Sequence, residues 1–284
     1  MARLTFLLIS VLLFWTNQTI VCSPVGCVRG KGEIKSEVRD LSGFTEIDLS
    51  GSPDVVVKSG NEYKVVVKDY ENLLPKLKTV VKGNALKIYF DGCVTNSQAV
   101  VEITMPELKG IRSSGSGEIK VSGDFKGDYM NVAVAGSGNV TFNGLIDGMQ
   151  RLDIAIAGSG DVHFNSVVKD AEVKTRVLGS GDVSLNLPGK IADFELESQG
   201  SGDVYISGDT VAKAQMVTMG SGDISAENIV FVNAKVKTMG SGDIKLQVSQ
   251  ALDAITMGSG DIIYSGNPQK ISLKSMGSGD VRKM

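Results

Sequence analysis

Seven aspartates, Asp161, Asp182, Asp203, Asp223, Asp243, Asp261 and Asp280, each follow the tripeptide GSG and recur every 18 to 21 residues. Stacking such repeats at the interstrand spacing of about 4.8 Å sets the carboxylates in one column. Neighbouring charges then repel by about 3.5 kcal/mol at an effective dielectric of 20, or roughly 0.9 kcal/mol in bulk water, so each carboxylate needs an offsetting contact. Two chemistries supply one. The oxygens can accept hydrogen bonds from turn amides or from the GSG serine, as Asx-turn residues do. Alternatively, oxygens of successive rungs can hold a hard cation such as calcium, although the spacing departs from the roughly nine-residue GGxGxD calcium repeat.

Acid–base catalysis by the column would require two carboxylates in unlike environments, one kept protonated and one ionised. Near-identical rungs single out no such pair. The one histidine, His163, falls on an outward position, and no GxSxG elbow, P-loop or HExxH motif occurs. The expectation is a chain without catalytic residues and without a cofactor, calcium on the aspartate column being the one exception to test.

The elements that position the column follow from the repeat itself. GSG begins at Gly115, Gly136, Gly158, Gly179, Gly200, Gly220, Gly240, Gly258 and Gly277, and GSPDV at Gly51 to Val55 is a weaker early copy. Before each GSG the pattern alternates with period two, as in a strand with one buried face. Ile111, Val132, Ile154, Thr175, Leu196, Met216, Val236, Ala254 and Leu273 occupy one inward column, and Leu152, Phe194 and Ile271 another. Asn131, Asp153, Lys174, Glu195, Lys235 and Ser272 alternate with them and face water. After the corner Val162/Phe164, Val183/Leu185, Val204/Ile206 and Ile244/Leu246 point inward, and His163, Ser184, Tyr205 and Lys245 outward. A unit of about 20 residues cannot bury its apolar face alone and must stack on its neighbours. The fold class is therefore all-β, a parallel β-helix or β-solenoid with a GSGD corner; the rival, an antiparallel propeller, needs blades of about 40 residues. The 34 glycines, 42% hydrophobic residues and few aromatics agree with many tight corners and little helix.

Residues 33–108 lack GSG but contain strong strand candidates, and read as opening coils and an end cap for a single domain spanning 30–284, with the GSGD repeats in 110–284. Residues 1–22 combine Arg3 with an apolar run to Trp15 and read as a secretory signal. Cys22 is a candidate lipid acceptor, with simple cleavage near Ser23 as the alternative. Cys27 and Cys93 are either disulfide-bonded, as export permits, or two separate thiols. A last column, the residue just before GSG, becomes apolar along the chain at Met219, Met239, Met257 and Met276; it is covered by loops or forms an adaptable contact stripe.

The segments GKGEIKSEVRDLSGFTEIDLSGSPDVVVKSGNEYKVVVKDYENLLPKLKTVVKGNALKIYF and ITMPELKGIRSSGSGEI, together with the GSGD ladder, resemble the bacterial GIN-domain family, described as an auto-transporter adhesin head domain. The resemblance covers roughly residues 30–284. It implies an exported, right-handed β-helical protein of a kind common in Bacteroidetes and often lipid-anchored, with no established enzymatic activity and with the lipid cysteine at Cys22 or Cys27.

The functional expectation is a non-catalytic exported module, at the cell surface, outer membrane or periplasm or secreted, that contacts a surface protein, a glycan or a second copy of itself. Membrane contact enters only through an anchor. The alternative is a carbohydrate-binding or polysaccharide-degrading β-helix, for which Tyr205 and Tyr264 are the available aromatic faces once Trp15 is removed. A net charge of −3 argues against nucleic acid as partner. The parity assignment has a direct check: Val236→Asp places an unpaired charge between rungs and should cost about 3 kcal/mol or more in urea denaturation, whereas Lys237→Ser should cost less than about 0.5 kcal/mol. Equal losses at the two sites would mean that the faces are assigned the wrong way round.

Overall fold

The computed structural model describes residues 26–284, so the leader segment and Cys22 lie outside the described residues. Within them the chain is all-β and winds through about eight stacked turns. Parallel pairing repeats rung upon rung: Val132 lies beside Ile154, Ile154 beside Thr175, Thr175 beside Leu196, Leu196 beside Met216 and Met216 beside Val236. From Val183–Ser198 to Ile244–Thr256 the strands before and after the bend merge into single long elements.

The period-two reading holds through the body of the stack. Val132, Ile154, Leu196, Met216 and Val236 are buried, as are Phe164, Leu185, Ile206 and Leu246 on the other side of the corner. Phenylalanines recur in the columns, and Phe142 and Phe164 stack with ring centroids 4.6 Å apart. Such a pair adds about 0.5–1.5 kcal/mol beyond the area it buries. Two inward assignments come out differently. Ile271 and Leu273 occupy inward columns but are 50% and 43% exposed, because Lys270–Ser275 pairs on one side with Ile244–Thr256 and no described rung covers its other side. Tyr264 is the opposite correction. It pairs in register with Leu246 and is buried, so its ring fills the core and offers no face to a sugar.

At the other end, stacking order and chain order part. Glu46–Leu49 and Asp54–Ser59 form a rung directly beneath Gly110–Ser113 and Ile119–Ser122, and beneath it lies the later rung made of Ala85–Phe90 and Val100–Met105. The intervening chain turns back as antiparallel strands. Leu77–Lys82 pairs with Ala85–Phe90, Lys64–Tyr70 with Val100–Met105, and Ile34–Arg39 with Lys64–Tyr70. This closing sheet is fastened in two ways. Cys27 and Cys93 are joined in a disulfide, which closes a loop of 66 residues and restricts the unfolded chain by about 4 kcal/mol on the loop-entropy account. Asp69, fully buried, accepts hydrogen bonds from the amides of Tyr70 and Gln98 and from the Ser97 hydroxyl at 2.7–2.9 Å.

The corner explains why the repeat is GSG. None of the nine first glycines has a positive φ; what they require is space. A Cβ on any of them would lie 1.7–2.1 Å from the carbonyl oxygen of the equivalent glycine one rung below, and on the third glycine 1.9–2.2 Å from the corresponding backbone oxygen. Backbones therefore approach here as closely as strands can, and any side chain would push the rungs apart. Gly240→Ala should accordingly cost about 3 kcal/mol, with Ser241→Ala, at an exposed position, within about 0.5 kcal/mol. Chemical denaturation of both variants decides this, and an alanine at 240 that is as harmless as one at 241 would remove steric contact as the reason for the glycines.

Candidate functional site

Three outer surfaces carry side chains with chemistry: the GSGD corner, the methionine stripe beside it, and the sheet face leading up to it. At each corner the serine amide donates to the first-glycine carbonyl of the rung below, and at most corners the third-glycine amide joins it, as Ser137 and Gly138 do to Gly115 at 2.9 and 3.0 Å. The next amide, that of the aspartate, has no backbone acceptor in this bend. The aspartate of the rung below supplies it. Asp182, Asp203, Asp223, Asp243, Asp261 and Asp280 each donate their backbone N–H to Oδ1 of the preceding aspartate at 2.7–2.9 Å, and Asp161 donates to Oδ1 of Asn139. The column begins earlier than GSG does, since Asp54 of the GSPD copy accepts from the Glu118 amide at 2.9 Å. Glu118, one methylene longer, turns to Lys120 at 2.7 Å.

The carboxylates thus form a relay of acceptors along the stack, each half-exposed or exposed, which lets water screen their repulsion. Among the described residues no three His, Cys, Asp or Glu side chains converge around a common point; the aspartates make a row. Two second oxygens are engaged: Tyr205 Oη donates to Asp203 Oδ2 at 3.3 Å, and Arg282 approaches Asp261 Oδ2 at 3.5 Å. The charge on Asp203 is the main reason that the Tyr205 phenol is held above its ordinary pKa. His163 is exposed, in register between Thr141 and Ser184.

Beneath the corner lies a column that periodicity alone did not single out: Ser198, Thr218, Thr238 and Thr256 are fully buried. Thr238 and Thr256 donate their hydroxyls to the third-glycine carbonyls of their own corners, Gly242 and Gly260, at 3.2 and 2.8 Å. The signal was the thrice-repeated TMGSGD, in which threonine sits on an inward parity position and a hydroxyl there needs an acceptor. The methionines that follow point outward as expected. Met219 and Met276 are exposed, Met239 and Met257 half-buried, and Leu178 extends the stripe.

The sheet face before the corner is an ordered lattice of charges. Arg151 reaches Asp153 and Glu172, Lys174 reaches Glu172 and Glu195, and Arg176 reaches Glu197, at 3.0–3.8 Å. Hydrogen bonds from Gln199 and then Arg176 hold the Glu197 carboxyl below its usual pKa. Those to Glu195 and Glu172 hold Lys174 above its own. Opposite charges one repeat apart, as in Arg176 and Glu197, were the available sequence signal. Two hollows of about 600 Å³ and 590 Å³ lie on this face, the first over Lys213, Lys235, Ala251, Asp253 and Lys270, the second over Arg151, Lys174, Arg176 and Glu197.

A β-solenoid with a glycine corner, a row of acceptors and patterned outer faces is a scaffold that presents surface, of the class found in adhesin heads. The chain matches the family "Putative auto-transporter adhesin, head GIN domain" over residues 43–163 and 146–268, and belongs to it. Solved structures agree in fold. A protein of Parabacteroides distasonis described as a "putative adhesin" superposes with a TM-score of 0.70 at 21% identity, covering 90% of this chain and 99% of that one. One from Parabacteroides merdae, also described as a "putative adhesin", gives 0.65 at 20% identity over 90% and 98%. A second P. distasonis protein, described as a "putative lipid binding protein", gives 0.66 at 29% identity over 90% and 99%. None of the curated proteins compared with the chain matches it.

The acceptor role of the column makes a specific expectation. Asp243→Asn keeps an oxygen for the Asp261 amide, as Asn139 does for Asp161, and should shift stability by less than about 0.5 kcal/mol. Asp243→Ala leaves that amide without its acceptor and should cost about 1 kcal/mol. Melting curves with calcium and with chelator check the assignment; a calcium-dependent rise in the parent that Asp243→Asn abolishes would make the column a cation site.

Proposed function

We propose that the chain is an exported, non-catalytic adhesion module that works by presenting its outer faces to another surface. The observation that supports this most directly is the repetition. The same corner and the same acceptor relay recur down the stack, so no carboxylate pair acquires the unlike environments that acid–base chemistry demands, whereas a long patterned face suits extended contact. Family membership points the same way for adhesion, and with it for the cell surface. The relative described as lipid binding raises a second use of the fold. In this chain the core columns are filled by Phe142, Phe164, Phe194 and Phe231, and the two hollows lie on the outer face, which favours surface contact over lipid enclosure.

The cysteines bear on anchoring. The Cys27 sulfur is bonded to Cys93, so of the two candidate lipid acceptors Cys22 is the one this reading uses, with simple cleavage near Ser23 as the alternative; with Cys22 acylated, the opposite end of the solenoid would project from the membrane. The test combines place and activity. Intact cells treated with a membrane-impermeant amine reagent should have the chain labelled on its exposed lysines, and deleting it should reduce attachment to the target surface. A fatty-acid analogue should label the parent but not Cys22→Ser. Protection of the chain in intact cells, or release of sugars from a polysaccharide panel by the purified protein, would overturn the proposal.

A further inference from the structure

Resting on the adhesion reading, the sheet face at the C-terminal end of the stack names a partner class. Over rungs Arg151–Ile156 to Val183–Ser198 the cations of the face are met by carboxylates. Over the following rungs the balance changes. Lys213, Lys235, Lys237, Lys270 and Lys274 stand on this face, and none of them is in an ion pair among the described residues. Asp253 is the one acid on those rungs of the face. In a chain of net charge −3 this is a local excess of exposed positive charge, and it borders the hollow of about 600 Å³.

At the hollow Ala251 stands in a column whose other rungs there hold Asp193, Lys213, Asn233 and Lys270. Its floor is small and apolar; Lys213, Lys235 and Lys270 with the amides of Gln215 and Asn233 line the rim toward the C-terminal rungs, and Asp253 stands among them. Asp193 and Glu195, the latter paired with Lys174, close the edge toward the N-terminal rungs. Lys235 and Lys237 lie two rungs from Lys270 and Lys274, or about 10 Å along the axis at the interstrand spacing, which is close to the length of two sugar rings. Asp253 lies on the rung between them. A uniformly charged chain, such as a nucleic acid, would have to lay a phosphate against that carboxylate. A ring bearing only hydroxyls would instead donate hydrogen bonds to it. We infer that this hollow binds an acidic glycan whose carboxylates recur on alternate sugars, the uronates meeting the two lysine pairs and the neutral ring crossing Ala251 and Asp253.

Hyaluronan and unsulfated chondroitin oligosaccharides, both with one carboxylate per disaccharide, are the probes, with dextran, single-stranded DNA and anionic phospholipid vesicles as comparisons. The purified chain should retain both oligosaccharides, more weakly as salt rises, and each of the three comparisons at least about tenfold less tightly. Lys235→Gln combined with Lys270→Gln should weaken retention at least about tenfold without changing the melting temperature, and Lys245→Gln, on the face beyond the corner, should leave it unchanged. Failure to retain either oligosaccharide, equal retention of DNA or vesicles, or equal loss in the Lys245 variant would overturn the assignment. Attachment of cells that persists when the oligosaccharides fail to bind sinks the glycan and leaves the adhesion reading standing; absence of both sinks the two together.

Discussion

At each corner backbone rests on backbone, the first glycine lying against the carbonyl of the glycine below it with less than a methyl group of clearance. That contact fixes register. Once glycine sits over glycine, the residues before and after the corner are locked opposite their counterparts, and a slip by one position would put a side chain where only hydrogen fits. Register in parallel sheets is otherwise set by hydrophobic patterning spread along the strand; here a steric stop at one point does the same work in every rung.

With register fixed, each residue choice is applied as a column. Apolar columns become a continuous core. The aspartate column becomes the acceptor for an amide that the bend leaves unpaired, at every rung from Asn139 onward. The Oδ1 oxygens are aimed along the stack at amides, so each carboxylate has an offsetting contact of the kind a row of acids needs. The threonines under the corner show how tolerant the scheme is. Thr238 and Thr256 find the carbonyl four residues on, while the Ser198 and Thr218 hydroxyls find no acceptor among the described residues, so this bond assists the corner but does not define it.

Much of the fold was legible because the repeat announces itself and the glycines of the GSG corners share one role, close approach rather than left-handed backbone. The 33–108 segment was less legible for a physical reason. Its strands have the same composition whether they stack in parallel or turn back antiparallel, and only long-range pairing shows that Glu46–Leu49 sits above the later Ala85–Phe90. Tyr264, Ile271 and Leu273 mark a second boundary. Parity places Ile271 and Leu273 inward, but burial depends on a neighbouring rung, which they lack on one side, whereas Tyr264, expected as an available face, shares the inward register of Leu246 and has a rung on both sides. The charge lattice was hidden for a third reason: each pair joins residues either two apart or about one repeat apart, a relation visible only after the rungs are aligned.

These columns also divide the labour of the chain. Positions that set the corner cannot vary without parting the rungs, so they carry little information about a partner. The sheet face is free of that constraint, since its outward side chains touch neither the core nor the corner. It is also where successive rungs differ most: Arg151, Glu172, Asp193, Lys213, Asn233, Ala251 and Lys270 succeed one another in a single column. Exposed ion pairs of the kind found there contribute about 0–1 kcal/mol each to folding, too little to explain the pattern as reinforcement of a stack already held by its core and ladders. On the adhesion reading proposed above, the variation has its consequence in what the face meets, and a solenoid built on one repeated corner can change that face rung by rung without disturbing the fold beneath it.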